Sequence, residues 1–273
     1  MEASPDLGRV ESTVPLFKFR RQLIMAQPLM LVTGGSRGIG AATVLLAASR
    51  GWRVAFSYKT NTEAANAVVA NAKLLGAEVI ALQADVSHEP EVMQLFETVD
   101  RKLGALSALI NNAGMLEQQM RLDQMDLGRW QRVFSANVFG SFLCAKQAIM
   151  RMSTRHGGAG GVIVNVSSAA SRLGSPNEFI DYAAAKGAVD SMTIGLAKEL
   201  ATEGIRVNAV RPGLIYTDIH ASAGDPGRVD RVKAGVPMQR GGTAEEVAEA
   251  IVWLASAQSS YVTGTLMDVT GGR

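Results

Sequence analysis

The chain has 273 residues, 47% of them apolar, a formal charge of +2 and a single cysteine. That length suits one large α/β domain or two small ones, with ample material for a core. The scattered, near-neutral charge excludes a basic nucleic-acid stripe, the lone Cys144 excludes an intrachain disulfide, and no unbroken apolar run reaches the length of a bilayer span.

Residues 1–27 read as an N-terminal extension. Glu2, Asp6 and Glu11 precede any apolar stretch and no long apolar region follows, so the segment does not match a signal peptide. Phe17-Lys-Phe-Arg-Arg-Gln-Leu-Ile24 is basic and apolar, suited either to docking or to an unstructured extension, and Met25 offers a second start. The cysteine usage and the absence of a leader pattern predict a cytoplasmic protein. Residues 28–273 read as one domain, because no Pro/Ser-rich linker interrupts them.

From Leu29 onward strand and helix patterns alternate. Strands are expected at Leu29–Thr33, Arg53–Tyr58, Glu78–Ala84, Leu106–Ile110, Val162–Val166, Ile205–Val210 and Thr265–Val269. Helices are expected at Gly38–Arg50, Glu63–Leu75, Glu89–Leu103, Leu127–Arg155, Ile180–Glu203 and Glu245–Ser256, several of them closed by a glycine. The strands are short, β-branched and almost continuously apolar, as strands buried on both faces are. Such alternation predicts an α/β, doubly wound Rossmann fold: a mostly parallel seven-stranded sheet with helices on both faces. Ligands of such sheets bind beyond the strand C-termini, so the residues that follow each strand are the ones to inspect.

After the first strand comes Thr33-Gly-Gly-Ser-Arg-Gly-Ile-Gly40, with Gly34, Gly38 and Gly40 spaced G-x3-G-x-G. A glycine-rich turn opening a helix presents free N–H groups and the positive end of the helix dipole to a phosphate. Gly34, Ser36, Arg37, Gly38, Ile39 and Gly40 are therefore candidate cofactor residues. After the second strand, Ser57-Tyr58-Lys59 carries no acidic side chain to receive a ribose 2′-hydroxyl. Lys59 together with Arg37 suits a 2′-phosphate, so NADP is expected over NAD. Asp85 and Val86 follow the third strand; the carboxylate is placed to accept from an adenine amino group, while Ser87 looks the better cap for the next helix. Asn112, Ala113 and Gly114, within Asn111-Asn-Ala-Gly114, follow the fourth strand and suit either ribose contact or a plain turn.

Ser167-Ser168 ends the fifth strand, and Tyr182-Ala-Ala-Ala-Lys186 follows. Tyr182 and Lys186 share one face of a helix at i, i+4. A phenol titrates near pH ~10. An ammonium about 4 Å away attracts its phenolate by roughly 4 kcal/mol at an effective dielectric near ~20, enough to lower it by at most about 3 pH units. Asn137, in an apolar helical region, is either a satisfied core amide or a site for a water relay. Pro212-Gly213 makes a turn after the sixth strand, followed by Ile215 and Thr217, which can meet an amide-bearing ring. His88, His156 and His220 lack metal-ligand spacing and read as surface residues, with His220 able to reach a substrate; no metal is expected.

In these motifs the chain resembles the short-chain dehydrogenase/reductase family over Leu29–Gly272: the glycine motif at Thr33–Gly40, Asn111–Gly114, the set Asn137, Ser168, Tyr182 and Lys186, and the turn at Pro212-Gly213. It is similar to bacterial glucose 1-dehydrogenase-like and 3-oxoacyl-ACP reductase-like members. The runs Ser171–Pro176, Gly227–Lys233 and Pro237–Gly241 resemble an uncharacterised branch.

The resemblance implies hydride exchange between NADP(H) and an alcohol or carbonyl. Tyr182 would be the acid/base, Ser168 would bond the substrate oxygen, Lys186 would lower the Tyr182 pKa and hold the nicotinamide ribose, and Asn137 would place a proton-relaying water. It also implies a homotetramer built on the two long helices and the last strand. The substrate is expected between Ser168–Glu178 and a lid at Tyr216–Gly241. Two other readings are a 3-oxoacyl-ACP reductase, with Arg129 and Arg172 in regions where an acidic carrier would dock, and a dinucleotide sensor without turnover.

Overall fold

The structure is a computed structural model that describes residues 27–273; the expectations for the preceding segment lie outside the described residues. Seven strands form one sheet: β1 (Leu29–Val32), β2 (Arg53–Tyr58), β3 (Val79–Gln83), β4 (Ala108–Asn111), β5 (Gly161–Val166), β6 (Ile205–Pro212) and β7 (Leu266–Val269). Their spatial order is β3-β2-β1-β4-β5-β6-β7, and every pairing is parallel. The helices are α1 (Gly38–Ser49), α2 (Thr62–Leu74), α3 (Glu89–Leu103), α4 (Leu127–Phe134), α5 (Gly140–Met152), α6 (Ala170–Leu173), α7 (Ile180–Leu200), α8 (Ile219–Ser222), α9 (Arg228–Val232) and α10 (Ala244–Ala255).

Successive strand residues point to opposite faces of a sheet, and here both faces are covered. Met30, Val32, Phe56, Ile110 and Val164 pack with Val44 of α1 and Val247 and Ile251 of α10. Leu29, Leu31, Leu109 and Ile163 pack on the other side with Phe96 of α3, Cys144 and Met152 of α5 and Leu200 of α7. Each fully buried side chain of this kind contributes about 1.5–3 kcal/mol. Chain order reverses between β1 and β4, which opens a crevice at the strand C-termini.

The expected helix at Leu127–Arg155 is three pieces. A π-helical turn, Ser135–Phe139, separates α4 from α5, and α5 stops at Met152 because Ser153 is extended. Inside the π turn the Asn137 side chain donates to the Val133 carbonyl (2.9 Å). The helix expected at Ile180–Glu203 ends at Leu200 and tightens into a 3-10 turn, Ala201–Glu203. The fourth strand starts later than expected, at Ala108, and the sixth runs on to Pro212. Leu127–Met152 is long and apolar enough to cross a membrane by length and mean hydropathy, although Arg129, Arg132, Lys146 and Arg151 interrupt it. In the fold 44% of its most apolar window is buried, and Cys144, Ala148 and Met152 are fully enclosed against the sheet.

Candidate active site

The loop between β1 and α1 is held by the loop after β4. Asn112 Nδ2 donates to the carbonyls of Thr33 (2.9 Å) and Gly34 (3.0 Å). Thr33 Oγ1 accepts from the backbone N–H of Asn112 (3.0 Å) and Ala113 (2.9 Å). The Asn112 amide therefore braces the glycine loop, and Thr33 is a second brace that sequence reasoning passed over. A Cβ on Gly40 would sit 2.3 Å from the Gly34 carbonyl oxygen and 2.5 Å from Asn112 Nδ2, so the helix enters this close only as glycine. Arg37 caps α1 without a side-chain bond to its first turn, which leaves that turn's N–H groups to an anion.

At the far end of the loop the two expected cations part company. Arg37 is exposed and enters no ion pair among the described residues. Lys59 Nζ lies 2.6 Å from Asp85 Oδ2, so two residues expected to bind different parts of a cofactor bind each other. Burial works to raise the Asp85 carboxyl, but Lys59 and the Ser87 hydrogen bonds outweigh it and hold it at about 2. Ser87 spends its hydroxyl on Asp85 (2.7 Å) and does not cap α3, whose first residue follows His88 with no side-chain cap.

At the other end, Ser168 follows β5, and Tyr182 and Lys186 rise from α7 one turn apart. Lys186 Nζ donates to the Val166 carbonyl (2.8 Å) and lies 5.5 Å from the centre of the Tyr182 ring. Burial pushes the Tyr182 phenol up to about 12, against the lowering effect of a hydrogen bond from Ser168. Desolvation also pushes Lys186 down to about 8 against the pull of Asp190. Asn137 is fully buried behind these groups; its amide donates to the Met115 carbonyl (3.0 Å) and accepts from the Met115 N–H (3.2 Å). A Cβ on Gly114 would meet Asn137 Oδ1 at 2.6 Å, so this glycine makes room for the Asn137 amide beside the lysine.

The segment expected to act as a lid, Tyr216–Gly241, carries α8 and α9. Arg228, on α9, reaches back to Glu178 with both terminal nitrogens (2.7 and 2.5 Å) and stacks over Phe179 at 5.1 Å. His220 is half-buried, not a surface residue; its Nε2 bonds the Ile215 carbonyl (3.1 Å), and burial keeps its pKa below the ordinary value. Arg228 lies in the Gly227–Lys233 run and Glu178 ends the expected substrate segment, but their partnership spans 50 residues and no local pattern announces it. Arg129 is also not where a carrier protein could reach it. Its guanidinium is buried on Asp181 (2.7 Å) and the Gln118 carbonyl (2.6 Å). Arg172 bonds the Arg273 carbonyl (2.6 Å).

One cavity of about 990 Å³ joins these parts. Every cofactor residue read from the sequence lines it, from Arg37, Lys59 and Asp85 through Gly34–Gly40 to Pro212, Gly213, Ile215 and Thr217, together with Ser168, Tyr182 and Lys186. Asn137 stands behind the wall. Leu173 and Ile219, from the two segments expected to meet the substrate, also line it, as do Met115, Leu116, Phe179 and Arg273, which the sequence reading did not single out because apolar or terminal residues carry no chemical signal. No group of three or more potential metal ligands occurs among the described residues.

A family model described as Enoyl-(Acyl carrier protein) reductase matches residues 34–273. The chain belongs to the short-chain dehydrogenase/reductase family. It is 55% identical over 245 residues to "Uncharacterized oxidoreductase YgfF" of Escherichia coli, covering 90% of this chain and 99% of that one. It is 40% identical over 243 residues to a 3-oxoacyl-[acyl-carrier-protein] reductase of Synechocystis, covering 89% and 95%. Among solved structures, a short-chain dehydrogenase/reductase from Serratia marcescens superposes with a TM-score of 0.83 at 31% identity, covering 90% and 97%. The acetoin dehydrogenase YohF of Salmonella typhimurium does so at 0.79 and 32%, covering 90% and 96%.

Members of this oxidoreductase family use nicotinamide dinucleotides. The residues present fit such a group: a helix N-terminus with an empty cap, a cradle that a Cβ on Gly40 would fill, and a cavity running from the loop to Tyr182.

Proposed function

We propose that this short-chain dehydrogenase/reductase is a cytoplasmic NADP(H)-dependent oxidoreductase that moves a hydride between the nicotinamide and an alcohol or carbonyl carbon. The observation that carries the reading is the single cavity that holds both the glycine loop with Arg37 and the trio Ser168, Tyr182 and Lys186. Gly34–Gly40 would hold the pyrophosphate, Arg37 and in part Lys59 the 2′-phosphate, Asn112–Gly114 the ribose side, and Ile215 and Thr217 the nicotinamide amide. When bound, the nicotinamide supplies the carbon that gives or takes the hydride.

The chain's own residues would manage the proton. With its pKa near 12, the Tyr182 phenol keeps its proton at neutral pH, which suits donation to a carbonyl oxygen as charge grows there. Ser168 would bond the same oxygen, and such preorganised donors act most strongly in a water-poor site. The Lys186 ammonium beside the ring favours the phenolate that donation leaves behind. Asn137 has its side chain committed to Met115 and Val133, so a relay water would use its carbonyl, which also accepts from Ser141 Oγ (3.1 Å).

The experiment is a carbonyl panel read by NADPH absorbance with wild type and Tyr182→Phe. The variant should lose roughly 10²–10⁴-fold in kcat and keep its NADPH affinity. Wild-type kcat in Tyr182→Phe, or a kcat/KM that favours NADH, defeats the reading. A 3-oxoacyl thioester on an acyl carrier protein is the second reading, favoured by the name of the Synechocystis relative. The burial of Arg129 speaks against the docking residue expected for it. For assembly we infer a homotetramer, supported by the outward Phe139, Phe142 and Met150 on the π turn and α5. On α7, Ala183, Ala185 and Met192 are buried within this chain, while Ala184 is exposed. A stable monomer in sedimentation at micromolar concentration refutes the tetramer.

A further inference from the structure

Behind Lys186 lies a buried ion pair that the proposed chemistry does not use. Asp190 follows Lys186 by four residues on α7, hence on the same face, and both are at least nine-tenths buried (6% and 4% exposed). Arg211, from β6, donates both Nε (3.0 Å) and a terminal nitrogen (2.8 Å) to Asp190 Oδ2. The second oxygen, Oδ1, is buried and has no partner. A carboxylate placed merely to neutralise an arginine gives both oxygens to the guanidinium fork. Arg211 moreover has another anion at hand, Asp268 of β7, at 3.9 Å. A buried, half-unsatisfied carboxylate is costly to keep and calls for a purpose beyond that ion pair.

We propose that the Asp190–Arg211 pair is a positioning device for the reaction read above: Asp190 holds Lys186 in its ammonium form, and Arg211 sets how much of that negative charge Lys186 feels. The proposal rests on the reading of Lys186 as the cation beside Tyr182. Burial disfavours an ammonium and a nearby carboxylate favours it. The direction agrees with Lys186 itself, where Asp190 opposes the fall that burial causes.

The other groups around the lysine leave Asp190 as its anion. Tyr182 is the titratable neighbour on α7. From β5 comes the Val166 carbonyl, and from the loop after β4 and the π turn come Gly114 and Asn137, all uncharged. Beyond Arg211, Asp268 is itself paired with Arg172 of α6 at 3.6 Å, and Arg172 bonds the Arg273 carbonyl.

The test titrates Lys186 in the full chain by acetic anhydride labelling across pH, read by peptide mass spectrometry. It is repeated for Asp190→Asn, Asp190→Glu and Arg211→Gln. Asp190→Asn should lower the Lys186 midpoint by about 1 pH unit, and Asp190→Glu should restore it. Arg211→Gln, which removes the screen and leaves the charge, should raise it. The alkaline limb of kcat/KM should move the same way in each variant. A midpoint that stays put in Asp190→Asn, or one that falls in Arg211→Gln, overturns the proposal; if the asparagine variant does not fold, the arginine variant decides alone. Labelling needs no turnover, so shifted midpoints in a protein without reductase activity refute the proposed function and support the electrostatic role.

Discussion

Replacing Arg129 by methionine tests whether the buried ion pair at the start of α7 is structural. The Arg129 side chain is 4% exposed and that of Asp181 1%. The guanidinium reaches Asp181 at 2.7 Å and 3.4 Å and the Gln118 carbonyl at 2.6 Å. Asp181 Oδ1 in turn accepts the Tyr182 N–H (2.9 Å), so the pair fixes the residue next to the proposed acid. Removing one partner of such a pair leaves an uncompensated buried charge and costs about 3–5 kcal/mol. At roughly 2–4 °C per kcal/mol for a chain of this size, Tm should fall by about 6–20 °C. Urea unfolding at neutral pH, with an unchanged slope, measures the loss. The double variant Arg129→Met with Asp181→Leu removes both charges and should recover most of the stability, because the attraction of a buried pair barely exceeds the desolvation of its members. A loss in Arg129→Met below about 1 kcal/mol refutes the reasoning. It would mean that the pair is solvated, and Arg129 would again be open to a carrier protein.

Gly40→Ala places a Cβ against backbone, so NADPH should bind at least about tenfold more weakly in a fluorescence titration, a cost of about 1.4 kcal/mol or more; an unchanged Kd removes the close approach from the argument. Arg37→Gln should cut the NADPH-over-NADH preference roughly 10–100-fold, the worth of a charge-assisted contact of about 1.5–3 kcal/mol. Lys59→Gln should cut it less, since Lys59 is shared with Asp85; the reverse ranking of kcat/KM ratios counts against this reading. Arg228→Gln severs the bond to Glu178 and should speed chymotrypsin cleavage after the exposed Tyr216 while global Tm changes little; equal cleavage rates would show that the lid is held by other contacts.

The fold was legible because both sheet faces are covered. A strand such as Leu29–Val32 has no solvent side and reads as an apolar run, and several helices between such runs are closed by a glycine such as Gly51, Gly76 or Gly104. The π turn was not legible. Ser135–Phe139 has an ordinary helical composition, and what distinguishes it is Asn137 bonding to Val133 and to Met115, 22 residues away. Asn112 shows the same limit: its amide is visible in the sequence, but the two carbonyls it serves lie 79 and 78 residues earlier. For Tyr182 the spacing revealed the cation and hid the burial, and burial is the larger effect.

The cofactor end makes the consequence plain. Read along the chain, Arg37 and Lys59 are two cations awaiting a 2′-phosphate. In the fold, Lys59 already holds a carboxylate at 2.6 Å whose pKa is held near 2, so it remains an anion at any physiological pH. A phosphate arriving there meets Asp85 as well as Lys59, and the two nearly cancel at a distance. On the proposed reading, discrimination between NADP and NAD would then fall mainly to Arg37, which is exposed, unpaired among the described residues and next to the first turn of α1. The side chain at position 37, more than the lysine after β2, is therefore the place where a change of cofactor preference should be engineered.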